Sequence, residues 1–267
     1  MIVDFHTHTF PDKIAARTIE YLSKKGNITP HTDGTLEGLK SSMKKSGVDI
    51  SVVLPVATSP KQVDSINRLS AELNGKDGVY YFGAIHPDSE NIGEILDFIK
   101  SAGLVGIKIH PDYQDTFFDD GRYVNIIAEA AKRDLLTVTH AGVDIAYTDC
   151  VHCTPDMILR VMNKLGTSID NKLVLAHLGG FGLPDEVIEK LVGKPVYMDT
   201  AAVLDLYPDK CIEIMRRHGF DKILFASDSP WADQKKFISA VKDMRLDRAD
   251  EERVFCKNAL ALLKINM

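Results

Sequence analysis

Residues 104–140 read LVGIKIHPDYQDTFFDDGRYVNIIAEAAKRDLLTVTH. Two β-branched runs, Leu104–His110 and Leu135–His140, each end in a histidine, and the amphipathic stretch Val124–Arg133 lies between them. Strand, helix, strand in that order calls for parallel strands, because the crossover must carry the chain back across the sheet. The same grammar extends both ways. Further strand candidates are Ile2–His8, Val48–Val56, Val79–His86, Lys172–His177, Pro195–Ala201 and Lys222–Asp228, which makes eight. Helical patterns fall at Lys61–Leu73, Ile92–Ser101, Asp156–Leu165, Pro184–Val192, Pro208–His218 and Gln234–Met244. An open doubly wound sheet would satisfy this alternation. Eight units with polar residues at the strand ends favour an α/β fold closed into a (β/α)8 TIM barrel. An extra helix is expected at Thr35–Lys45, after the first strand. A C-terminal helix is expected at Asp250–Lys264, where Asp250, Glu251 and Glu252 suit a helix N-terminus.

The 267 residues fit one barrel domain spanning 1–267. Hydrophobic residues form 45% of the chain, ample for one core. The net charge of −6, from 32 basic and 38 acidic residues, argues against a general nucleic-acid binder. No apolar run reaches membrane-spanning length, and the N-terminus lacks the marks of a leader, so no membrane partner is expected. Cys150, Cys153, Cys211 and Cys256 do not read as a disulfide framework, which points to a cytoplasmic setting. The expected partner is a small-molecule substrate. A homo-oligomer is compatible with the sequence.

Chemistry collects at the C-terminal strand ends, which converge on one mouth in a barrel. His8, His86, His110, His140 and His177 end strand candidates, and Asp228 ends the eighth. In His6-Thr7-His8, alternation puts both imidazoles on one face. Neutral imidazoles suit zinc, and a third histidine with a carboxylate would complete an N/O site that leaves a position for water. The competing reading is a pair of ordinary strand histidines.

On these motifs the chain resembles the amidohydrolase superfamily, in the amidohydrolase-related branch that includes aminocarboxymuconate semialdehyde decarboxylase relatives. H-x-H at residues 6–8, GIKIHP at 106–111, VTHAG at 138–142, LAHLGG at 175–180 and FASDSPW at 225–231 carry the likeness, and EERVFCKNALALL resembles that branch's terminal helix. The resemblance implies that His6, His8, His140 and Asp228 hold a divalent metal, most simply zinc. It places His177 beside the metal, with His177 and Asp228 as catalytic groups. In binuclear relatives a carboxylated lysine on the fourth strand bridges two metals. Lys108 occupies a comparable place, so Lys108, His110 and His177 are candidates for a second metal or for substrate. One metal is expected, with room for a second. The alternative for Lys108 is a buried charge paired to a carboxylate.

Tyr113, Tyr147, His152 and Trp231 are candidates for the pocket walls, and Arg122 for holding a substrate carboxylate. Cys150-Val-His152-Cys153 has the look of a metal knuckle but lacks a second C-x-x-C. His86 reads as lining or structure; His31 and His218 fall outside the strand-end pattern and read as surface histidines. The first expectation is hydrolysis of a small carboxylated or cyclic substrate, a lactone or amide, by a metal-activated water. The alternative is decarboxylation of an aromatic or muconate-type acid. DFHTHT also resembles metal phosphoesterases of the polymerase-and-histidinol-phosphatase family, but no aspartate-x-histidine closes the chain. TatD-type nucleases share H-x-H, yet carry a glutamate where this chain has GIKIHP. A non-catalytic, metabolite-binding barrel is the remaining alternative.

Overall fold

The computed structural model describes residues 1–265. Residues 266 and 267, the end of the domain expected over 1–267, lie outside the described residues. The chain alternates strands and helices: β1 (Val3–Thr7), α1 (Asp12–Gly26), α2 (Leu36–Ser46), β2 (Ile50–Val53), α3 (Val63–Leu73), β3 (Val79–Tyr81), β4 (Gly83–Ala84) and α4 (Ile92–Ser101). It continues through β5 (Gly106–Ile109), α5 (Gly121–Lys132), β6 (Leu136–Thr139), α6 (Pro155–Leu165), β7 (Leu173–Leu175) and α7 (Pro184–Lys190). The last elements are β8 (Tyr197–Asp199), α8 (Pro208–His218), β9 (Ile223–Leu224), α9 (Gln234–Asp243), α10 (Arg248–Glu252) and α11 (Asn258–Leu263).

The strands pair in parallel in chain order, as β1-β2-β3 and β4-β5-β6-β7-β8-β9. β3 and β4 are one barrel strand broken at Phe82, whose amide still donates to Val53 O at 3.1 Å. That break turns the eight expected strands into nine short ones among the described residues. β1 closes the ring against the chain after β9: Phe5 N donates to Phe225 O (2.9 Å), Asp228 N to His6 O (2.9 Å) and His8 N to Ser229 O (2.6 Å). The fold is the TIM barrel expected.

Two apolar layers follow from strand alternation. One runs between the strands and the surrounding helices, with Ile107, Ile109, Leu173, Leu175 and Phe225 facing α5, α6 and α8 residues such as Ile127, Ile158 and Met215. The other joins Phe5, Val52, Phe82, Leu136, Val138 and Leu224 to Ala259, Leu260 and Leu263 of α11, so the C-terminal helix plugs the inner core. Gly106 is required there: a Cβ would lie 2.5 Å from Phe82. The expected C-terminal helix forms in three pieces, with a π-helical turn at Arg253–Lys257 between α10 and α11. Val254 O there accepts from Phe225 N at 2.9 Å.

β1 departs from simple alternation. Its register against β2 shifts between Asp4 and Thr7. Asp4 therefore bonds outward to Gln234 of α9 (2.8 Å), while Phe5 meets Phe82 and His6 meets Lys108. The larger difference is α1, a helix the periodicity reading passed over. Only Ala15 and Ile19 are buried on it, too thin a stripe to stand out. Two helices thus separate β1 from β2, rather than one. No helix among the described residues is long and apolar enough to cross a membrane.

Candidate functional site

His6, His8 and Asp228 bring one ligand-type atom each within 4.8 Å of one another. His6 and His8 leave the C-terminal end of β1, and Asp228 follows β9 across the closing seam. Leu54 O accepts from His8 Nδ1 at 2.9 Å, and Asp199 Oδ2 accepts from His6 Nδ1 at 2.8 Å. With the protons fixed on Nδ1, the two Nε2 atoms present lone pairs to each other across 3.2 Å. Asp228 Oδ1 stands 3.5 Å from the first and 3.3 Å from the second. Three acceptors share that space only where positive charge offsets them, and Lys108 Nζ, 3.3 Å from His6 Nε2, reaches one of the three. Burial, then the nearby Lys108 charge, holds His6 well below the usual histidine range, so a second proton on His6 is the poorer way to supply it. The residues therefore fit a divalent cation.

Asp199, at the end of β8, is fully buried and is the residue the sequence reading missed. Besides His6 it accepts from the amides of His177 and Ala201, each at 3.0 Å. It orients one histidine and anchors the backbone of another. The signal was available: the seventh strand candidate also runs into a polar residue at its mouth end, but a single aspartate drew less notice than five histidines.

His140 stands apart from the triad. Its Nδ1 faces His177 Nε2 at 3.0 Å, and its Nε2 is buried without a partner, 3.8 Å from the equally unpartnered Oδ2 of Asp112. The four-ligand set implied by the resemblance is thus split in this structure, with His140 grouped instead with His110 and Asp144. That second group fits a cation less well. His110 Nδ1 accepts from Tyr113 N at 3.4 Å, which leaves its proton on Nε2, facing Asp144 Oδ2 at 3.5 Å. A proton already occupies that space, and burial helps by pushing the Asp144 carboxyl up to about 6. Lys108 belongs to neither group. It is buried and 3.3 Å from His6 Nε2. His177, beside His6 with ring centroids 5.5 Å apart, donates from Nδ1 to Ala201 O at 2.9 Å. His177 and Asp228 both hold left-handed backbone conformations, φ 58° and 77°. Each such non-glycine conformation costs about 1–3 kcal/mol and is kept only where the surroundings enforce it.

The weaker candidates divide. Tyr113 lies edge-on to His110 at 4.4 Å and to Tyr147 at 5.2 Å, so both tyrosines belong to one wall beside the histidine cluster. His152 is held by Asp112 Oδ1 through its amide and Nδ1, at 3.3 and 3.0 Å, and stacks on Phe117. It ties the loop after β6 to the loop after β5. Trp231 is half-buried, its amide donating to Asp228 O at 2.8 Å. Arg122 does not reach the site: its guanidinium is engaged by Asp120 and Asp88. Cys153 is buried while Cys150 is exposed, so no knuckle forms. His86 closes a local turn, accepting from Asp88 N. His218 is buried rather than a surface residue.

Two surface hollows lie elsewhere, about 410 Å³ beside Leu204, Ile212 and Arg216, and about 290 Å³ beside His31 and Lys45. Neither collects convergent ligand atoms, so the strand ends remain the candidate site.

Comparison with known proteins agrees with the fold. A family model described as Amidohydrolase matches residues 3–265. Among solved structures, 5-carboxyvanillate decarboxylase from Sphingomonas paucimobilis superposes with a TM-score of 0.75 at 12% identity, covering 99% of each chain. The 2,6-dihydroxybenzoate decarboxylase from Rhizobium gives 0.74 at 16% identity, covering 99% of this chain and 98% of that one. A dihydroxybenzoic acid decarboxylase from Polaromonas sp. JS666, with bound manganese and 2-nitroresorcinol, gives 0.74 at 15%, covering 100% and 97%. At these identities the likeness is one of fold. No curated protein sequence matches the chain.

Proposed function

The chain belongs to the amidohydrolase family, and from that membership we propose that it is a metal-dependent decarboxylase of a small aromatic carboxylic acid. The observation that carries the metal part is the pair of unprotonated Nε2 atoms of His6 and His8, 3.2 Å apart beside the Asp228 carboxylate. We assign the cation to His6, His8 and Asp228, with His140 joining if its ring turns towards them. Zinc suits the mixed N/O donor set, and manganese, held by one fold neighbour, is the other candidate.

Two things favour decarboxylation over the hydrolysis expected first from the sequence. The fold neighbours described above are all named as decarboxylases of aromatic acids. The Tyr113, Tyr147, His110 and His140 rings also line one side of the cluster, which suits a planar substrate. When bound, the cation would withdraw charge from substrate oxygens. Asp228 takes a proton from solvent and passes it to the ring carbon that bears the carboxylate. The bond to that carboxylate then breaks, its electron pair returns to the ring, and carbon dioxide leaves. His177, fixed by Ala201 O and the Asp199 carboxylate, accepts from His140 Nδ1 and so positions that ring beside the reacting end of the substrate.

The test is turnover of hydroxybenzoates by metal-loaded protein in D2O. One carbon dioxide and one ring deuterium per product are expected, and Asp228→Asn should lower the rate about 10²–10⁴-fold, the range for a lost proton-transfer group. Hydrolysis keeps one argument: Asp228 beside the cation could instead deprotonate water. Cleavage of lactones or amides with solvent oxygen in the product, and no carbon dioxide from any aromatic acid, would overturn the decarboxylase reading.

A further inference from the structure

The last turn of α1 ends against the loop that follows β6. A Cβ on Gly26 would lie 3.0 Å from Cδ1 of Ile145, so the helix and that loop are in close contact. One residue earlier, Lys25 Nζ sits 3.3 Å from the centroid of the Tyr147 ring and 5.9 Å from that of Tyr113. From there the aromatic row runs inward. Tyr147 meets Tyr113 edge-on at 5.2 Å, Tyr113 meets His110 at 4.4 Å, and His110 stacks on His140 at 4.3 Å with 12° between the planes. Lys25 is thus the outer end of a row of rings whose inner end is the histidine cluster.

No close ion pair takes up its charge, which acts only across a longer gap on Asp144. The preceding Lys24 spends its ammonium on Glu20 at 2.7 Å, but Lys25 has no carboxylate within ion-pair distance among the described residues. An ammonium has three donors, and the face of Tyr147 takes only one direction. The remaining donors are left for a ligand, and Lys25 is half-buried. A bare cation held in place by a ring, next to further rings, is suited to an anion carried on a flat molecule.

We propose that Lys25, Tyr147 and Tyr113 form a distal anion subsite: the substrate is an aromatic acid bearing a second negatively charged group, a carboxylate, at the end remote from the cation triad. This rests on the reading above only for the reacting end of the substrate. Recognition of the far end is independent of the reaction. The competing account is that Lys25 merely pins α1 to the loop.

The experiment is calorimetric titration of metal-loaded protein with benzoate, isophthalate and terephthalate, alongside thermal unfolding, for the wild type, Lys25→Met and Lys25→Arg. One of the diacids should bind about tenfold or more tightly than benzoate, the worth of one charge-assisted hydrogen bond. Lys25→Met should abolish that preference with benzoate affinity unchanged, and Lys25→Arg should restore most of it. An equal loss for benzoate and the diacids, a fall in Tm with the preference intact, or no preference in the wild type would each overturn the subsite. A Lys25-dependent preference without carbon dioxide release from any aromatic acid would leave the subsite standing and remove the decarboxylase. Release of carbon dioxide without that preference would do the reverse.

Discussion

At the scale of single residues, Lys108 poses the sharpest question. Burial pushes its pKa down to about 8, with Asp199 and Asp228 pulling the other way. Its Nζ faces the same Nε2 of His6 that we assign to the cation, at 3.3 Å. An unmodified, charged Lys108 therefore competes with the metal, whereas a carboxylated one would help to hold it. We expect the first. Lys108→Met should then tighten cation binding, by about tenfold for removal of one adjacent like charge, while raising KM for the acid. Loss of metal from Lys108→Met, measured by mass spectrometry of the purified protein, would instead identify the carbamate. No residue-level rule could decide this from GIKIHP, because the side-chain separation that sets the competition exists only once β1 and β5 face each other.

Among elements, α8 offers a test of pH dependence. His218 in its last turn accepts from Gly193 N at Nδ1 (3.2 Å) and donates from Nε2 to Val196 O (2.9 Å), which staples α8 to the chain leading into β8. Burial holds its pKa below the usual value, so the folded form keeps it neutral. The unfolded chain takes up a proton near pH 6.5, so this contribution is present above that pH and is lost as the pH falls. His218→Leu should cost about 1–3 kcal/mol at pH 7.5, from urea midpoints, and less at pH 5.5. A penalty equal at both pH values would discard the neutral staple. The strands and most helices were legible because a long amphipathic stripe or a β-branched run leaves a period in the sequence: Ile92–Ser101 and Pro208–His218 match to the residue. α1 was not, since it buries so little, and with it went Lys25. The site was legible where a histidine ended a strand. It was not legible where the partner came from a distant strand, as with Asp199, or where a ring turned away from the triad, as with His140.

Across the whole molecule, the mouth depends on a residue that touches no metal ligand. Gln114 is buried and uses its full amide: Oε1 accepts from His110 N (3.0 Å) and Tyr123 Oη (2.6 Å), and Nε2 donates to Ala57 O (2.8 Å) and Ile85 O (2.7 Å). It joins the segments after β2, β4 and β5 to α5. Gln114→Leu should lower stability by about 3 kcal/mol or more, since it orphans four polar groups at once. A drop below about 1 kcal/mol in urea unfolding would show that the segments hold without it. The same four bonds set a rule for anyone remodelling this barrel. Because one amide fixes the spacing of three segments, insertions or deletions in any of them will be tolerated only when the other two are exchanged with it. The three should therefore be transplanted between scaffolds as a single cassette, together with the loop after β6 that His152 ties to the loop after β5.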